Sequence, residues 1–256
     1  SRVAAEGLIA AAVTAKVGAL VEVNCETDFV AKNDSFQEFA KTAAKLAVEG
    51  SVSTVEGLLA AKNPVGGLTL KDNVSELTIK IGEKIDLRRV AVLKLEGNGV
   101  IGSYVHTGKI GVLVQIEADK DVSSNEAVKE LAKNLSMHVA AANPQFLDSS
   151  AIDETYKARE AEIYTTQLKE QGKPEAMIPN IVKGKLAKLA SEVCLLEQAF
   201  VMDPDQTVAK LVEATGKTAG AALKLTKFVK FNLGEGIEKK QENFAEEIAK
   251  ISAGSH

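Results

Sequence analysis

The run "KIGVLVQI", Lys109 to Ile116, lies residue for residue over "KVGALVEV", Lys16 to Val23, and this register marks an internal duplication. Each copy is the second half of an apolar, Val-rich pair. The first pair is "LIAAAVTAKVGALVEVN", with a weak turn around Ala15 to Gly18; the second is "GSYVHTGKIGVLVQIE", with Thr107-Gly108 at its turn. Both read as β-hairpins. A helix follows each: Phe36, Phe39, Ala40, Ala43 and Ala47 share one face in the first copy, and Val128, Leu131, Ala132, Leu135 and Val139 in the second. Ser35 with Glu38, and Ser123 with Glu126, stand at capping-box spacing. Near the end "NLGEGIEK" echoes "KIGEKIDL" through Gly82/Gly234, Glu83/Glu235 and Ile85/Ile237. The expected architecture is α+β, with two internally repeated subdomains that face each other, each of antiparallel hairpin strands packed with helices.

Between the repeats the pattern changes. "NPVGGLTLKDN" is polar and Gly-containing, and "ELTIKIGEKIDLRRVAVLKLE" after it alternates like strand. From about Asp153 to Val193, Tyr156 and Ile163 sit at helical spacing, "QGKP" breaks the segment, and Ile178, Val182, Leu186, Leu189 and Val193 form a second stripe. This reads as an inserted antiparallel helical hairpin, coiled-coil-like, projecting from the second subdomain with little core of its own. The expected organisation is therefore an N-terminal core subdomain over 1–97 and a C-terminal core subdomain in two parts, 98–152 and 196–235. The inserted hairpin occupies 153–195, and a C-terminal helical module 236–256.

Composition excludes several classes. With 256 residues and 45% apolar content the chain can bury a substantial core. Its 31 Lys+Arg against 35 Asp+Glu give a net charge of -4, which argues against a surface dominated by nucleic-acid phosphates. Cys25 and Cys194 stand far apart and match no zinc spacing, which suggests a reducing compartment, and no apolar run is long enough to span a bilayer. Ser1 opens the chain without Met or a signal pattern, so a start inside a longer coding sequence is expected. The closing "AGSH" reads as an artificial tail, and His256 carries no weight.

A search for chemistry finds one enzymatic pattern, Gly97-x-Gly99-x-x-Gly102 with Glu117 twenty residues past its first glycine. A dinucleotide fingerprint needs a helix directly after the glycines, and "SYVHTGKIGVLV" is strand instead. No Gly-x4-Gly-Lys-Ser/Thr, His-Glu-x-x-His or Gly-x-Ser-x-Gly motif is present. His106 sits at a hairpin turn, and His138 follows Met137 beside the apolar stripe, where a half-buried structural role and a contact role are both open. In "EVNCETDFVAKND", Glu22 to Asp34, Phe29 returns after a polar segment as a core plug or as a side chain offered to a partner. The matching region of the second copy, "ADKDVSSNEAVKEL", has no aromatic, and that asymmetry favours the offered side chain.

"EVNCETDFVAK" is similar to the signature of bacterial and organellar elongation factor Ts, the guanine-nucleotide exchange factors of elongation factor Tu. The resemblance continues in "IGEKIDLRR", "GSYVHTGKIGVLV", "MHVAAANPQFL", "QAFVMDPDQTV" and "FNLGEGIEKK" and covers essentially the whole chain. Family members begin with a small three-helix, ubiquitin-associated-like domain, and this chain opens after it. The resemblance implies a partner, elongation factor Tu, with Asp28 and Phe29 entering between helices of its GTPase domain. Ile110, Gly111 and His138 would be further contacts there, and Val201 and Met202 contacts to another part of the same partner. It also implies a C-terminal helix, Gln241 to Ile251, that packs on the partner. No cofactor or metal of its own, no catalytic residue, no membrane and no direct nucleic acid are expected, and a homodimer through the helical hairpin is open. The expected location is the cytoplasm, or an organelle interior for an organellar member. The alternative is a translation-associated module that docks on ribosome or RNA without exchange activity, against which the acidic balance and 4% aromatic content speak.

Overall fold

The computed structural model describes residues 3–238; the expected helix at Gln241 to Ile251 lies outside them. Strands β1 (Glu6–Val13) and β2 (Val17–Cys25) form the first hairpin, and β3 (Asp86–Lys94) joins the free edge of β2. In the second half β4 (Gly99–His106) and β5 (Ile110–Ala118) form the hairpin, with Thr107 and Gly108 both at positive φ, 53° and 71°. Such a turn matches the twist of the strands it joins. After the short pair β6 (Ala199–Phe200) and β7 (Asp203–Thr207), β8 (Leu223–Asn232) completes a sheet ordered β4-β5-β8. Gly99 and Gly102 of the dinucleotide reading lie in β4, paired with Glu117 and Val114, and strand, not helix, follows the glycines.

The helices follow the apolar periodicities. After one turn, α1 (Asp28–Ala31), comes α2 (Asp34–Gly50), whose Phe36, Phe39, Ala40, Ala43 and Ala47 are buried against Val17, Ala19, Val21 and Val23 of β2. Two further helices, α3 (Val55–Leu59) and α4 (Leu70–Ile81), precede β3. In the second subdomain α5 (Glu126–Ala142) packs on Val112, Val114 and Ile116. The inserted pair is α6 (Glu154–Glu170) and α7 (Ile178–Val193), and α8 (Val208–Ala219) leads back to the sheet.

Three sequence expectations need correction. The start of α2 is capped by Asn33, whose side chain accepts from Phe36 N at 3.1 Å, and that of α5 by Asn125, which accepts from Val128 N at 3.1 Å; neither Ser35 nor Ser123 is the cap. Asn caps as well as Ser, and each stood two residues from the expected position. The stretch expected as one long strand is helix up to Ile81. Leu70, Val74, Leu77 and Ile81 recur at helical spacing, Thr69 caps the start, and Gly82 ends the helix at φ 79°. Strand begins only at Asp86.

The two sheets press face to face. Ile9, Leu20, Leu93 and Leu95 of one half meet Ile101, Leu113 and Phe231 of the other. Equivalent glycines permit the approach: a Cβ on Gly18 would stand 2.7 Å from Ile101 Cγ2, and one on Gly111 would run into Ile9 and lie 3.1 Å from Leu20 Cδ2. The hairpin tip is also tied across, with Ile9 N–H donating to Gly108 O at 2.8 Å. Each sheet carries a bulge at the same repeat position, beside Glu22 and beside Gln115.

Glu22 is fully buried between the halves. Its Oε1 accepts from Arg88 Nη1 at 2.9 Å and from Arg89 Nε, and its Oε2 from Asn24 Nδ2 at 3.0 Å and Gly234 N at 2.8 Å. Burial alone would push this carboxyl up. The Gly234 and Asn24 donors and the Arg89 guanidinium outweigh it and hold the group below the usual glutamate range. A depressed folded-state pKa adds stability that is complete above the unfolded value, about 4.3, and is lost as pH falls through the folded one. Glu22→Gln should therefore be less stable than the parent at pH 7, with the gap in thermal midpoint closing as pH drops below about 4. A constant gap over that range would contradict this account.

The helical hairpin has its own small core of Leu168, Ile178 and Val182, flanked by Ala161, Tyr164, Ile181 and Leu186. Its base is bonded to the second subdomain: Gln145 and Phe146 donate to Val193 O at 2.8 and 3.1 Å. Replacing Ala161 to Leu186 by a short Gly/Ser link should leave one cooperative thermal transition, because those core contacts are internal to the insert. Loss of cooperativity in the deletion would make the insert part of the main core.

Candidate functional site

Phe29 is 79% exposed on α1, beside exposed Asp28, and no residue of that single turn is buried. The plug reading of this aromatic is thereby excluded. Local bonds fix the turn. Thr27 Oγ1 accepts from Val30 N at 3.4 Å, and Cys25 Sγ–H donates to Thr27 O at 3.1 Å. Burial, with help from the Glu83 and Glu6 carboxylates, pushes the Cys25 thiol up to about 12, so it remains a neutral donor. Glu83, just past the end of α4, accepts from Glu26 N, Thr27 N and Thr27 Oγ1. In the sequence Glu83 stands in the repeated Gly-Glu pair and in "IGEKIDLRR", and those two patterns are its only signal.

Val201 and Met202 form the exposed β6–β7 turn, 44% and 59% accessible. The structure brings His138 to this turn but buries it completely, so it stands behind the surface and not half-buried at its edge. Its Nε2 is 2.9 Å from Gln198 Oε1, and its Nδ1 accepts from Val201 N at 3.2 Å. The amide donor at Nδ1 and the amide oxygen at Nε2 select the neutral tautomer protonated at Nε2. Gln198 Nε2 in turn donates to Glu192 O at 2.9 Å, which ties the turn to the end of α7. Phe200 stacks on the imidazole with ring centroids 5.9 Å apart. Burial holds the His138 pKa below its ordinary value, with the Gln198 bond opposing.

Ile110 is half-buried where β5 begins, paired with His106 and Asn232. Gly111 is buried against Ile9 of the other half, and like His138 it supports the surface from within. The candidate residues thus fall into separate places: Asp28 and Phe29 on α1, Ile110 and Gly111 at the sheet interface, and His138 with Val201 and Met202 at β6–β7.

No cluster of metal-ligating side chains occurs among the described residues, and no described helix is long and apolar enough to cross a membrane. A cleft of about 570 Å³ beside α8 and β8 is mainly apolar, with Leu147, Leu196, Val212 and Leu225 in its wall and no Ser, Thr, His or Cys.

Fold and site define a duplicated α+β protein built on two facing three-stranded sheets, with exposed apolar side chains on two turns, α1 and β6–β7, each held by a polar side chain behind it. A family model described as elongation factor Ts matches residues 26–235. Elongation factor Ts of Clostridium acetobutylicum is 47% identical over 252 residues, 97% of this chain and 81% of the relative. That of Magnetococcus marinus is 44% identical over 255 residues, 99% of this chain and 83% of the relative. The chain belongs to the elongation factor Ts family, and with it to the translation elongation factors of protein biosynthesis.

His138→Ala should cost about 1–3 kcal/mol by leaving Gln198 Oε1 and Val201 N–H unpaired. The parent should also lose stability as pH falls below about 6.5, because unfolded His takes up a proton that the buried ring resists. Thermal midpoints between pH 7.5 and 5 check both; this step should be missing in His138→Ala.

Proposed function

We propose that this chain is a guanine-nucleotide exchange factor that binds elongation factor Tu and speeds its release of GDP, with no chemistry of its own. The observation that carries the reading is Phe29: an aromatic at 79% exposure on a turn pinned by its neighbours. Aromatics are enriched at interface cores, and an isolated protein gains nothing from leaving one in water on a well-fixed turn. Asp28 and Phe29 would enter the GTPase domain, with Ile110 beside them. Gly111 would let the second sheet sit close enough to support that surface. Val201 and Met202, set by His138, would touch a second part of the partner. No membrane or nucleic acid takes part, and the reaction runs in the cytoplasm or an organelle interior. The exposed Ile163 and Met177 of the helical hairpin leave room for self-association there.

The mechanism is linkage. The partner holds GDP through magnesium and phosphate-binding amides, and a wedge that displaces those elements binds better when nucleotide is absent. Nucleotide affinity must then fall by the same factor by which nucleotide weakens exchange-factor binding. The ring of Phe29 would act by volume and the carboxylate of Asp28 by charge near the magnesium site.

Release of labelled GDP from elongation factor Tu tests this directly. The parent chain should accelerate release, and Phe29→Ala should abolish most of that gain while changing stability by no more than about 0.5 kcal/mol, as for a surface substitution. Phe39→Ala, at a position 6% exposed under α2, should do the reverse, costing about 3–5 kcal/mol with near-normal exchange per folded molecule. Parental chain that leaves GDP release unchanged at saturation would overturn the proposal.

A further inference from the structure

We propose that Glu83 is the positioning residue for Phe29, a clasp that sets the direction of the wedge before any partner arrives; this rests on the exchange reading above. A one-turn helix is unfavourable by itself, because its few hydrogen bonds do not offset the ordering of its residues, and the apolar anchorage of α1 is limited to Val30 and Ala31, partly buried against the first core. Those two contacts seat the far end of the turn, and its leading end, next to Phe29, needs a second hold. Glu83 supplies it across a sequence gap of more than fifty residues. One carboxylate oxygen accepts from both Glu26 N and Thr27 N at 3.0 Å, and the other accepts from Thr27 Oγ1 at 2.6 Å. The same Thr27 hydroxyl caps α1 through Val30 N, so the clasp passes directly into the turn that carries Phe29. The contact is reciprocal, since Lys84 N donates to Glu26 Oε1 at 3.0 Å. Gly82, at φ 79°, ends α4 and turns the chain so that the next side chain reaches back.

The chemistry suits a rigid hold. A carboxylate accepting two backbone N–H groups and a hydroxyl makes charge-assisted bonds, stronger than neutral ones. Ordering the turn in advance removes a cost that would otherwise fall on complex formation. Glu83 makes its bonds to Glu26 and Thr27, just before the wedge, so its effect on exchange runs through the turn that carries Asp28 and Phe29. The duplicated position points the same way: Glu235 also follows a glycine at positive φ, but it bonds Asn232 and Arg89, and among the described residues no exposed aromatic turn depends on it.

Two measurements decide the matter. In the free protein, amide hydrogen exchange at Glu26 and Thr27 should be fast in Glu83→Ala and slow in the parent and in Glu83→Gln, which keeps an accepting oxygen and an amide that can meet the Thr27 hydroxyl. In GDP release from elongation factor Tu at subsaturating exchange factor, Glu83→Ala should be slower by about tenfold, the size of one lost charge-assisted bond, with Glu83→Gln close to the parent. In a Phe29→Ala background the Glu83→Ala change should have no further effect. Equal losses in both backgrounds, amides still protected in Glu83→Ala, or parental GDP release by that variant would each overturn the proposal. All variants are compared where their far-ultraviolet circular dichroism matches the parent, which removes simple unfolding from the comparison. If the parent itself leaves GDP release unchanged, the exchange reading falls, while amide protection still reports whether the clasp holds the turn.

Discussion

A carboxylate with no exposed surface sits where the two halves of the molecule meet, and the geometry around it follows from the need to satisfy it. Glu22 gathers Arg88 and Arg89 from β3, Asn24 from its own strand and the Gly234 amide from the segment after β8. Leaving such a charge without its partners costs more than the pair contributes when intact. The bulge that inserts Arg88 opposite Glu22 supplies one partner, and the turn through Gly234 supplies another. Gln115 occupies the same repeat position, nearly as buried, and reaches only Thr226 at 3.3 Å. The duplication kept the bulge in both halves and the charge in one. That charge orients the chain leaving β8 toward the first sheet, with Arg89 also donating to Asn232 O at 2.7 Å and lying 4.1 Å from the Phe231 ring centroid.

The glycines Gly18 and Gly111 are the apolar counterpart of this constraint. Each lies on a central strand and lets a branched side chain of the other half come into contact. β2 is consequently buried along its whole length, one face against α2 and the other against the second sheet. That explains why "KVGALVEV" reads as continuously apolar and not as a clean alternation: a strand covered on both sides needs no polar face. The polar exceptions, Glu22 and Asn24, are the ones that bond each other.

The sequence made some of this legible and concealed the rest for physical reasons. The second hairpin showed because a Thr-Gly pair between Val-rich runs has few other readings, the first because its sequence repeats the second, and α2 and α5 because their apolar residues recur without interruption. The caps were misplaced because Ser35 and Ser123 mimic a capping box while Asn33 and Asn125 do the bonding. Helix α4 was hidden because "LTIKI" satisfies period two locally; its helical period emerges only when Leu70 and Val74 are counted with Leu77 and Ile81. Phe29 was readable as an asymmetry between the copies. The burial of His138 and the reach of Glu83 were not, since both depend on contacts between residues more than fifty positions apart.

The exposed side chains and the polar groups behind them belong to one design logic. Phe29 projects from a turn whose backbone amides end on Glu83, and Val201 projects from a turn whose amide ends on His138. In each case an apolar group is held in water by a polar contact to the backbone of its own turn. An exposed aromatic on a loose loop would fold back onto its own chain, and would have to be freed and ordered again at every encounter. Fixing the backbone, and leaving the side chain with nothing of its own protein to cover it, keeps the surface available without surrendering its shape. The neutral tautomer of His138 serves this better than a charged one would, because imidazolium has no lone pair for the Val201 amide.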